Sequence, residues 1–237
     1  MSDPHTIPSP NIWHWPRVYE AENRAQDPDG RIARVLRTIA PLQNKTIVDV
    51  GCGTGFHLPQ FAVEAERVIG VEPHDPLRRD ALRRVAELDT VEVLAGHAES
   101  LPLPDESVDV VHARTAYFFG VGCGPGITEA MRVLRPGGSL IVVDLDVSAS
   151  PYGDWMRSDL PKYNCEAVES FFEAQGFDLE RVDTRWSFPD RLTLRSVLGI
   201  EFTERTAARA ARSIPGLDID VRYRVHWRRK PRGLELA

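Results

Sequence analysis

The sequence lacks any long apolar run and has little cysteine. No stretch of the 237 residues approaches the roughly 18 apolar residues of a membrane-spanning helix, so we expect no membrane partner. The first ten residues, which we expect to form a poorly ordered tail, also lack the apolar centre of a signal peptide. Three scattered cysteines, Cys52, Cys123 and Cys165, do not have the spacing of metal ligands. These features predict free thiols, no metal site and a cytoplasmic location.

The chain also lacks an excess of positive charge. It has 29 Lys and Arg against 35 Asp and Glu, a net charge of −6, which argues against nucleic acid as the main partner. A short basic cluster near the end, residues 228–230 with Arg232, is the exception. We interpret it as a solvated strand end and tail, because the cluster is short and only Trp227 accompanies it as an aromatic residue.

Strand and helix patterns alternate through the middle of the chain. Between residues 46 and 145, short apolar runs are separated by segments with helical periodicity, the pattern of a doubly wound, mostly parallel α/β sheet. Residues 31–39 show helical spacing before the first strand, and residues 190–213 are predicted to be helical. Residues 221–228 alternate apolar with polar, which predicts a last, antiparallel strand.

A glycine-rich turn follows the first strand. The apolar run 46–48 predicts a buried parallel strand, and residues 56–65 predict a helix. Gly51, Gly53 and Gly55 lie between them, where the missing side chains allow a sharp turn and a close approach by a ligand. The N–H groups at the start of the helix would face a negatively charged part of that ligand. We therefore expect a nucleotide-like ligand here.

Two acids near this turn narrow the choice of ligand. The G-x-G-x-G spacing differs from the G-x-G-x-x-G of dinucleotide sites. Asp49, two residues before Gly51, would repel a pyrophosphate but would attract the ammonium of an amino acid. Glu72, at the end of the next apolar strand, is placed to accept both hydroxyls of a ribose. An amino-acid end and a ribose end together indicate S-adenosylmethionine, whose product is S-adenosylhomocysteine.

With these motifs, residues 45–147 resemble the class I S-adenosylmethionine-dependent methyltransferases, in the small-molecule branch of the ubiquinone and menaquinone enzymes. Residues 96–105 (GHAESLPLPD) are similar to the adenine-side loop of the family, 107–111 (SVDVV) to its fourth strand and 132–138 (RVLRPGG) to the turn before its fifth. The resemblance implies a seven-stranded Rossmann-like sheet with N-terminal helices. It also makes 190–213 a helical insertion before the last strand.

The resemblance and the motifs give a set of candidate cofactor-binding residues. They are Tyr19, Asp49, Gly51, Cys52, Gly53, Gly55, Glu72, Pro73, His97, Ala98, Glu99 and Ala113. His97 stands where the family usually has an aspartate that accepts a hydrogen bond from adenine. A neutral imidazole could accept that bond, or Glu99 could take the role, or His97 faces solvent.

The methyl acceptor is less well defined by the sequence. Where many relatives carry a histidine pair, this chain has Phe118 and Phe119, so the family supplies no general base. Our catalytic candidates are His14, Arg114 and Tyr117, with structural packing roles as the alternative for each. Arg114 would hold a carboxylate or phenolate. We expect loops at 114–119 and 144–155 to overhang the strand ends and contact the acceptor. The aromatic residues expected near the mouth favour a flat or apolar small molecule.

These observations lead to one main hypothesis about the chain. We expect a single domain, 1–237, with an N-terminal helical cap (11–44), a cofactor-binding core (45–147) and a C-terminal part (148–237). It would be a monomer or homodimer that methylates O, N or C of a small metabolite. The alternatives are an RNA methyltransferase and a module that binds the cofactor without transferring a methyl group. A nicotinamide dehydrogenase is disfavoured by the glycine spacing.

Overall fold

The computed structural model describes residues 9–233, which form a seven-stranded sheet in the order β3-β2-β1-β4-β5-β7-β6. The strands are β1 (Thr46–Val50), β2 (Arg67–Val71), β3 (Val91–Leu94), β4 (Val108–Arg114), β5 (Leu134–Leu145), β6 (Asp178–Ser187) and β7 (Asp218–Arg229). Strands β1 to β5 pair in parallel, whereas β7 runs antiparallel to both β5 and β6. The predicted fold class, including the antiparallel last strand, is confirmed.

Helices cover the sheet on both faces. They are α1 (Pro10–His14), α2 (Pro16–Ala25), α3 (Arg31–Ile39), α4 (Leu58–Ala62), α5 (Asp75–Arg84), α6 (Gly124–Val133), α7 (Tyr152–Asp159), α8 (Cys165–Ala174), α9 (Arg191–Glu201) and α10 (Glu204–Ser213). Successive residues of a strand point to opposite faces. Accordingly, Ile47 belongs to one apolar cluster and Val48 to the other. This double burial explains why β1 reads as a continuous apolar run.

The strand order places the functional end of the sheet. Strand β1 lies between β2 and β4, so the chain reverses its direction of winding at β1, and the carboxyl ends of parallel strands there form a crevice. Asp49 on β1 is in register with Gly70 on β2 and with His112 on β4. The residues at this edge therefore come from three strands that are far apart in the sequence.

Two predictions of secondary structure, one of a helix and one of a loop, were wrong. The helix expected over 56–65 covers only Leu58–Ala62, because residues 51–57 are used in tight turns, with Gly55 N donating to Cys52 O and Leu58 N to Gly55 O. Residues 144–155 were expected to be a loop, but α7 begins at Tyr152 and buries Trp155. The proline and glycine of this segment pointed to a loop, whereas its apolar side chains favoured a helix.

Helices at the two ends of the chain pack on each other. Helix α9, in the inserted segment between β6 and β7, contacts both α10 and α2. Residues 1–8, which include most of the predicted N-terminal tail, lie outside the described residues. Within residues 9–233, no helix has both the length and the apolar character needed to cross a membrane.

Candidate active site

A cavity of about 380 Å³ opens at the carboxyl ends of β1, β2 and β4. Many of the residues singled out from the sequence line it. They are Tyr19, Asp49, Gly51, Cys52, Gly53, Glu72, Pro73, His97, Ala98, Arg114 and Tyr117. The fold thus brings together the two acids of the motif, the glycine turn and the adenine-side loop in one concave site, as expected of a small-molecule site in an α/β sheet.

The glycine turn at Gly51 is fixed by its backbone geometry. Gly51 has φ +73°, a left-handed conformation that side-chain-bearing residues rarely adopt. A Cβ atom there would lie 2.6 Å from Cβ of Ala116. The N–H groups of Gly51 and Cys52 both donate to the carbonyl of Val71, at 2.8 and 3.2 Å. The turn is therefore tied to the end of β2, where Glu72 follows.

Gly55 does not line the cavity. A Cβ on this residue would meet Cβ of Ala81 at 3.0 Å and Cδ1 of Leu58 at 3.1 Å. The absence of a side chain lets helix α5 pack closely against the turn. Gly55 therefore serves helix packing, and with only five residues α4 offers no extended N-terminus to a ligand.

Glu72 is held by the backbone on both of its carboxylate oxygens. Gly53 N donates to Oε2 at 2.9 Å, and His74 N donates to Oε1 at 2.9 Å. Burial raises the pKa of Glu72, while these two hydrogen bonds act in the opposite direction. Each carboxylate oxygen retains capacity to accept a further hydrogen bond from a ligand.

Asp49 is held by a side chain of the neighbouring strand. Its Oδ1 lies 2.7 Å from Nδ1 of His112, and both residues are buried, at 3% and 2% exposure. Asp49 and Glu72 also raise the pKa of the buried Cys52 thiol, after burial itself, which is the larger cause. Cys52 is a free, buried thiol, and its high pKa makes it unreactive.

The adenine-side loop presents His97 and Ala98 to the cavity, but not Glu99. Tyr117 OH donates to Oε1 of Glu99 at 2.7 Å, so the Glu99 carboxylate is engaged with the protein. Burial, and then this hydrogen bond, raises the pKa of Tyr117. Tyr117 therefore remains a phenol near neutral pH, which suits a positioning role better than that of a base.

Some predicted site residues are not brought to the cavity. His14 is exposed at the end of α1 and is not part of the lining. Ala113 is fully buried within β4, and Arg114, the next residue, is the one that reaches the cavity. Phe118 is in the core, whereas Phe119 lines the cavity and is 43% exposed. Within the described residues, no group of three or more His, Cys, Asp or Glu is arranged to hold a metal ion.

Helix α1 covers the cavity. Ile12 is so close to the glycine turn that a Cβ on Gly53 would lie 2.8 Å from its Cδ1. Trp13 stacks on His74 with ring centroids 4.3 Å apart and an interplanar angle of 11°. Aromatic residues in this segment are visible in the sequence, but nothing there indicates that Ile12, the buried residue of α1, contacts the glycine turn.

A polar cluster beside the cavity was missed by the sequence analysis. Glu22 on α2 and Glu201 on α9 interact electrostatically, and Oε2 of Glu22 is buried with no hydrogen-bond partner among the described residues. Glu201 accepts from Asn11 Nδ2 at 2.7 Å and from Tyr152 OH. Burial raises the pKa of both acids, and repulsion from Glu201 raises that of Glu22 further, well above its ordinary value. No short motif connects Glu22 and Glu201, so only the fold reveals the pair.

Arg114 connects this cluster to the cavity. Its Nη2 donates to Oε1 of Gln26 at 2.6 Å, and its guanidinium lies 5.0 Å from the ring centroid of Tyr223. Gln26 in turn donates to Glu22. Nε of Arg114 is buried without a partner among the described residues, so this donor is available to an acceptor atom.

Comparison with known proteins identifies the family. Residues 48–142 match the family described as "Methyltransferase domain". The chain carries a class I S-adenosylmethionine-dependent methyltransferase domain. The residues matched include the glycine turn, Asp49, Glu72 and most of β5. They exclude α1, α2 and α9, so the cluster around Glu22 and Glu201 lies outside the matched segment of this methyltransferase.

Relatives of the methyltransferase act on different substrates. The chain is 28% identical over 167 residues to a demethylmenaquinone methyltransferase of Clavibacter sepedonicus, covering 68% of this chain and 66% of that protein. It is 28% identical over 173 residues to a tRNA U34 carboxymethyltransferase of Syntrophotalea carbinolica, covering 67% and 53%. The chain spans 30% to 66% of the length of the first curated relatives it matches.

The fold is shared with solved methyltransferase structures. A SAM-dependent methyltransferase of Thermotoga maritima, described as a possible histamine N-methyltransferase, matches with a TM-score of 0.58. The match covers 93% of this chain and 96% of that one, at 20% sequence identity. This likeness establishes the Rossmann-like architecture of the methyltransferase over nearly the whole chain.

Proposed function

We propose that this methyltransferase transfers a methyl group from S-adenosylmethionine to O, N or C of a small aromatic or apolar metabolite in the cytoplasm. The observation that carries the proposal is that Asp49 and Glu72 line one cavity on either side of the glycine turn. When bound, the cofactor supplies a methyl group on a positively charged sulfur. The protein's task is then to bind and orient the two reactants.

The cavity residues fit the two polar ends of the cofactor. In the proposed arrangement the Asp49 carboxylate binds the ammonium group, and the Glu72 carboxylate binds the ribose hydroxyls. His97 and Ala98 lie on the adenine side, with Pro73 beside Glu72. Because Glu99 is engaged by Tyr117, we assign the adenine contact to His97 in preference to Glu99.

The acceptor side is formed by Tyr19, Arg114, Tyr117 and Phe119. Burial is the main cause of the high pKa of both Tyr19 and Tyr117, so both are neutral phenols near neutral pH. We propose that they orient the acceptor and that Arg114 donates Nε–H to an oxygen of it. His14 has no part in this arrangement because it lies outside the cavity.

The cofactor assignment is tested with single substitutions. Asp49→Ala and Glu72→Ala are each expected to weaken binding of S-adenosylhomocysteine by about 1–3 kcal/mol, the cost of leaving buried polar partners unmatched. Isothermal titration calorimetry measures the change. Glu92→Ala, an acid on β3 outside the cavity, is the control and should leave the affinity unchanged. Unchanged affinity in both cavity variants would overturn the assignment.

The transfer itself is tested with a labelled methyl group. Cell extract fractions are incubated with the protein and labelled S-adenosylmethionine, and products are identified by mass. We expect a small aromatic or apolar product that is absent with Glu72→Ala. Tight cofactor binding without any product would instead favour a non-catalytic module. Light scattering on the same preparation distinguishes a monomer from a homodimer.

The tRNA-modifying relative motivates one alternative, an RNA substrate. The basic cluster near residue 230 would be the natural RNA contact, but its side chains are partly engaged in the fold. Arg229 donates to the Ile39 carbonyl at 3.1 Å, and Lys230 donates to that of Leu134 at 2.8 Å. Salt-sensitive RNA binding that is lost on neutralising Arg228 and Arg229 would favour this alternative.

A further inference from the structure

We propose that His112 is a positioning residue, which fixes the Asp49 carboxylate so that it receives the ammonium group of the cofactor. The inference rests on the proposed function, in which Asp49 binds the amino-acid end of S-adenosylmethionine. It concerns a residue that does not line the cofactor cavity and acts only through its neighbour.

The register of the sheet creates the contact. Strands β1 and β4 are adjacent and parallel, with Asp49 directly opposite His112. The two side chains lie on the same face and meet through Nδ1 and Oδ1 at 2.7 Å. Neither is accessible to solvent beyond 3% of its surface, so water cannot replace this hydrogen bond. The orientation of Asp49 is therefore set by its neighbour in the sheet.

The partner of Nδ1 determines the proton arrangement on His112. An ionised carboxylate only accepts hydrogen bonds, so Nδ1 carries the proton and donates a hydrogen bond to Asp49. A neutral ring then has a lone pair on Nε2, which is buried and has no partner among the described residues. The rings of Phe61 and His57 pack edge-to-face with the His112 ring, at 5.1 and 6.4 Å between centroids. Among the described residues, the His112 ring has Asp49 as its hydrogen-bond partner.

His112 supports Asp49 from behind. Asp49 lines the cofactor cavity, whereas His112 lines a separate cavity of about 530 Å³ on the side of α3 and α4. A buried imidazole with one unmatched nitrogen is a costly way to fill space that a leucine would fill. The imidazole differs from leucine in that it donates a hydrogen bond to Asp49. A residue behind a binding group can fix the orientation of that group in this way.

The test compares two ligands that differ at the amino-acid end. S-adenosylhomocysteine has this end, and 5′-methylthioadenosine lacks it but keeps the adenosine and the sulfur. His112→Leu removes the hydrogen-bond donor to Asp49. We expect it to weaken the binding of S-adenosylhomocysteine tenfold or more and to change the affinity for methylthioadenosine less than twofold. His112→Asn places an amide N–H where Nδ1 was, and its affinity for S-adenosylhomocysteine should stay within about threefold of that of the wild type.

The control is His226, the other buried histidine, on β7 against Phe172. His226→Leu should alter neither affinity. An equal loss for both ligands in His112→Leu would show a merely structural role and overturn the inference, as would no loss at all. In an Asp49→Asn background, where the carboxylate is gone, the effect of His112→Leu should fall below threefold.

Failure of this inference is distinguishable from failure of the proposed function. If the wild type does not bind S-adenosylhomocysteine, the proposed function fails. If binding depends on Asp49 but not on His112, only the inference fails. Should His112→Leu not fold, ¹⁵N NMR of the wild type decides: we expect a protonated Nδ1 and an unprotonated Nε2. The reverse tautomer would contradict the inference.

Discussion

Two carboxylates are held in different ways, the buried Glu72 in the lining of the cavity and the partly buried Glu201 beside it. Glu72 accepts hydrogen bonds from the backbone N–H groups of Gly53 and His74, which are 19 and 2 residues away in the sequence. Glu201 accepts from the side chains of Asn11 and Tyr152, which are 190 and 49 residues away. The first arrangement lies within the family match and the second outside it. Backbone groups at the glycine turn and after β2 thus hold Glu72, whereas side chains far apart in the sequence hold Glu201.

This difference explains what a sequence reveals about such an enzyme. A turn that positions its ligand with backbone groups requires a fixed spacing of glycines and acids, and this spacing is visible in the sequence. A cluster of side chains contributed by α1, α2, α7 and α9 requires only that the fold bring them together. The following predictions test this contrast, beginning with the largest expected effect.

The first prediction concerns the backbone of the cofactor side. Gly51→Ala is expected to destabilise the protein by about 2 kcal/mol or more, since a left-handed residue with a Cβ costs about 1–2 kcal/mol before the clash with Ala116 is added. Cofactor affinity should fall with it. Thermal unfolding and calorimetry measure both changes.

Gly30→Ala is the matched control for this prediction. Gly30 has a similar φ of +64°, but a Cβ there meets nothing within 4 Å. Gly30→Ala should lose only the stability that the left-handed conformation costs, and its cofactor affinity should be unchanged. Equal losses in the two variants would show that the close approach at Gly51 is unimportant, and would weaken the contrast between the two sides.

The second prediction concerns Glu22 and Glu201, the two acids beside the cavity. Because burial and Glu201 raise the pKa of Glu22 well above its ordinary 4.5, the folded protein keeps a proton that the unfolded chain releases. Wild-type stability should therefore decline as the pH rises from about 5 toward 8. Glu22→Gln abolishes this titration, and its stability relative to wild type should rise over that range, by about 1–3 kcal/mol at most.

Chemical denaturation at several pH values measures this difference. Glu180→Gln, at an exposed position on β6, is the control for the loss of one negative charge. A stability difference between Glu22→Gln and wild type that is the same at pH 5 and pH 8 would contradict the raised pKa of Glu22. Binding of S-adenosylhomocysteine should be unaffected, because Glu22 does not line the cofactor cavity.

The smallest effect is expected away from both sides of the cavity. Asn164 caps helix α8, its Oδ1 accepting from the N–H of Ala167 at 3.0 Å. Asn164→Ala should cost about 1 kcal/mol of stability, the usual value of such a cap. Cofactor affinity should not change. A loss of affinity here would show that binding follows overall stability, and would undermine the contrast between the two sides.

Features that depend on local patterns could be predicted from the sequence, whereas contacts that depend on the fold could not. The mostly parallel sheet and its antiparallel last strand were predicted, because a continuous apolar run indicates a strand buried on two faces and an alternating one a strand buried on one face. Asp49 and Glu72 were placed at the strand ends by their position beside apolar runs. The contact of Asp49 with His112 depends on the register of β1 with β4, which no local pattern encodes.

Other differences had a signal that competing residues obscured. In α7, Tyr152, Trp155 and Met156 have the i, i+3, i+4 spacing of a buried helical face, but Pro151 and Gly153 pointed to a loop. Gly153 is required there because a Cβ would lie 2.2 Å from the Val147 carbonyl oxygen. Close packing, not a turn, accounts for that glycine.

The hydrogen bond between Asn11 and Glu201 has a consequence for how the protein is made. Its partners are separated by 190 residues, so the N-terminal helices cannot take their final position until α9 has been synthesised. At roughly 5–20 residues per second, the ribosome needs on the order of 10–40 s to span that distance. During this interval β1 to β5 can assemble while Glu22 still lacks its partner. Glu22 and Glu201 can therefore meet only late in synthesis, and β7, which completes the sheet between β5 and β6, follows later still.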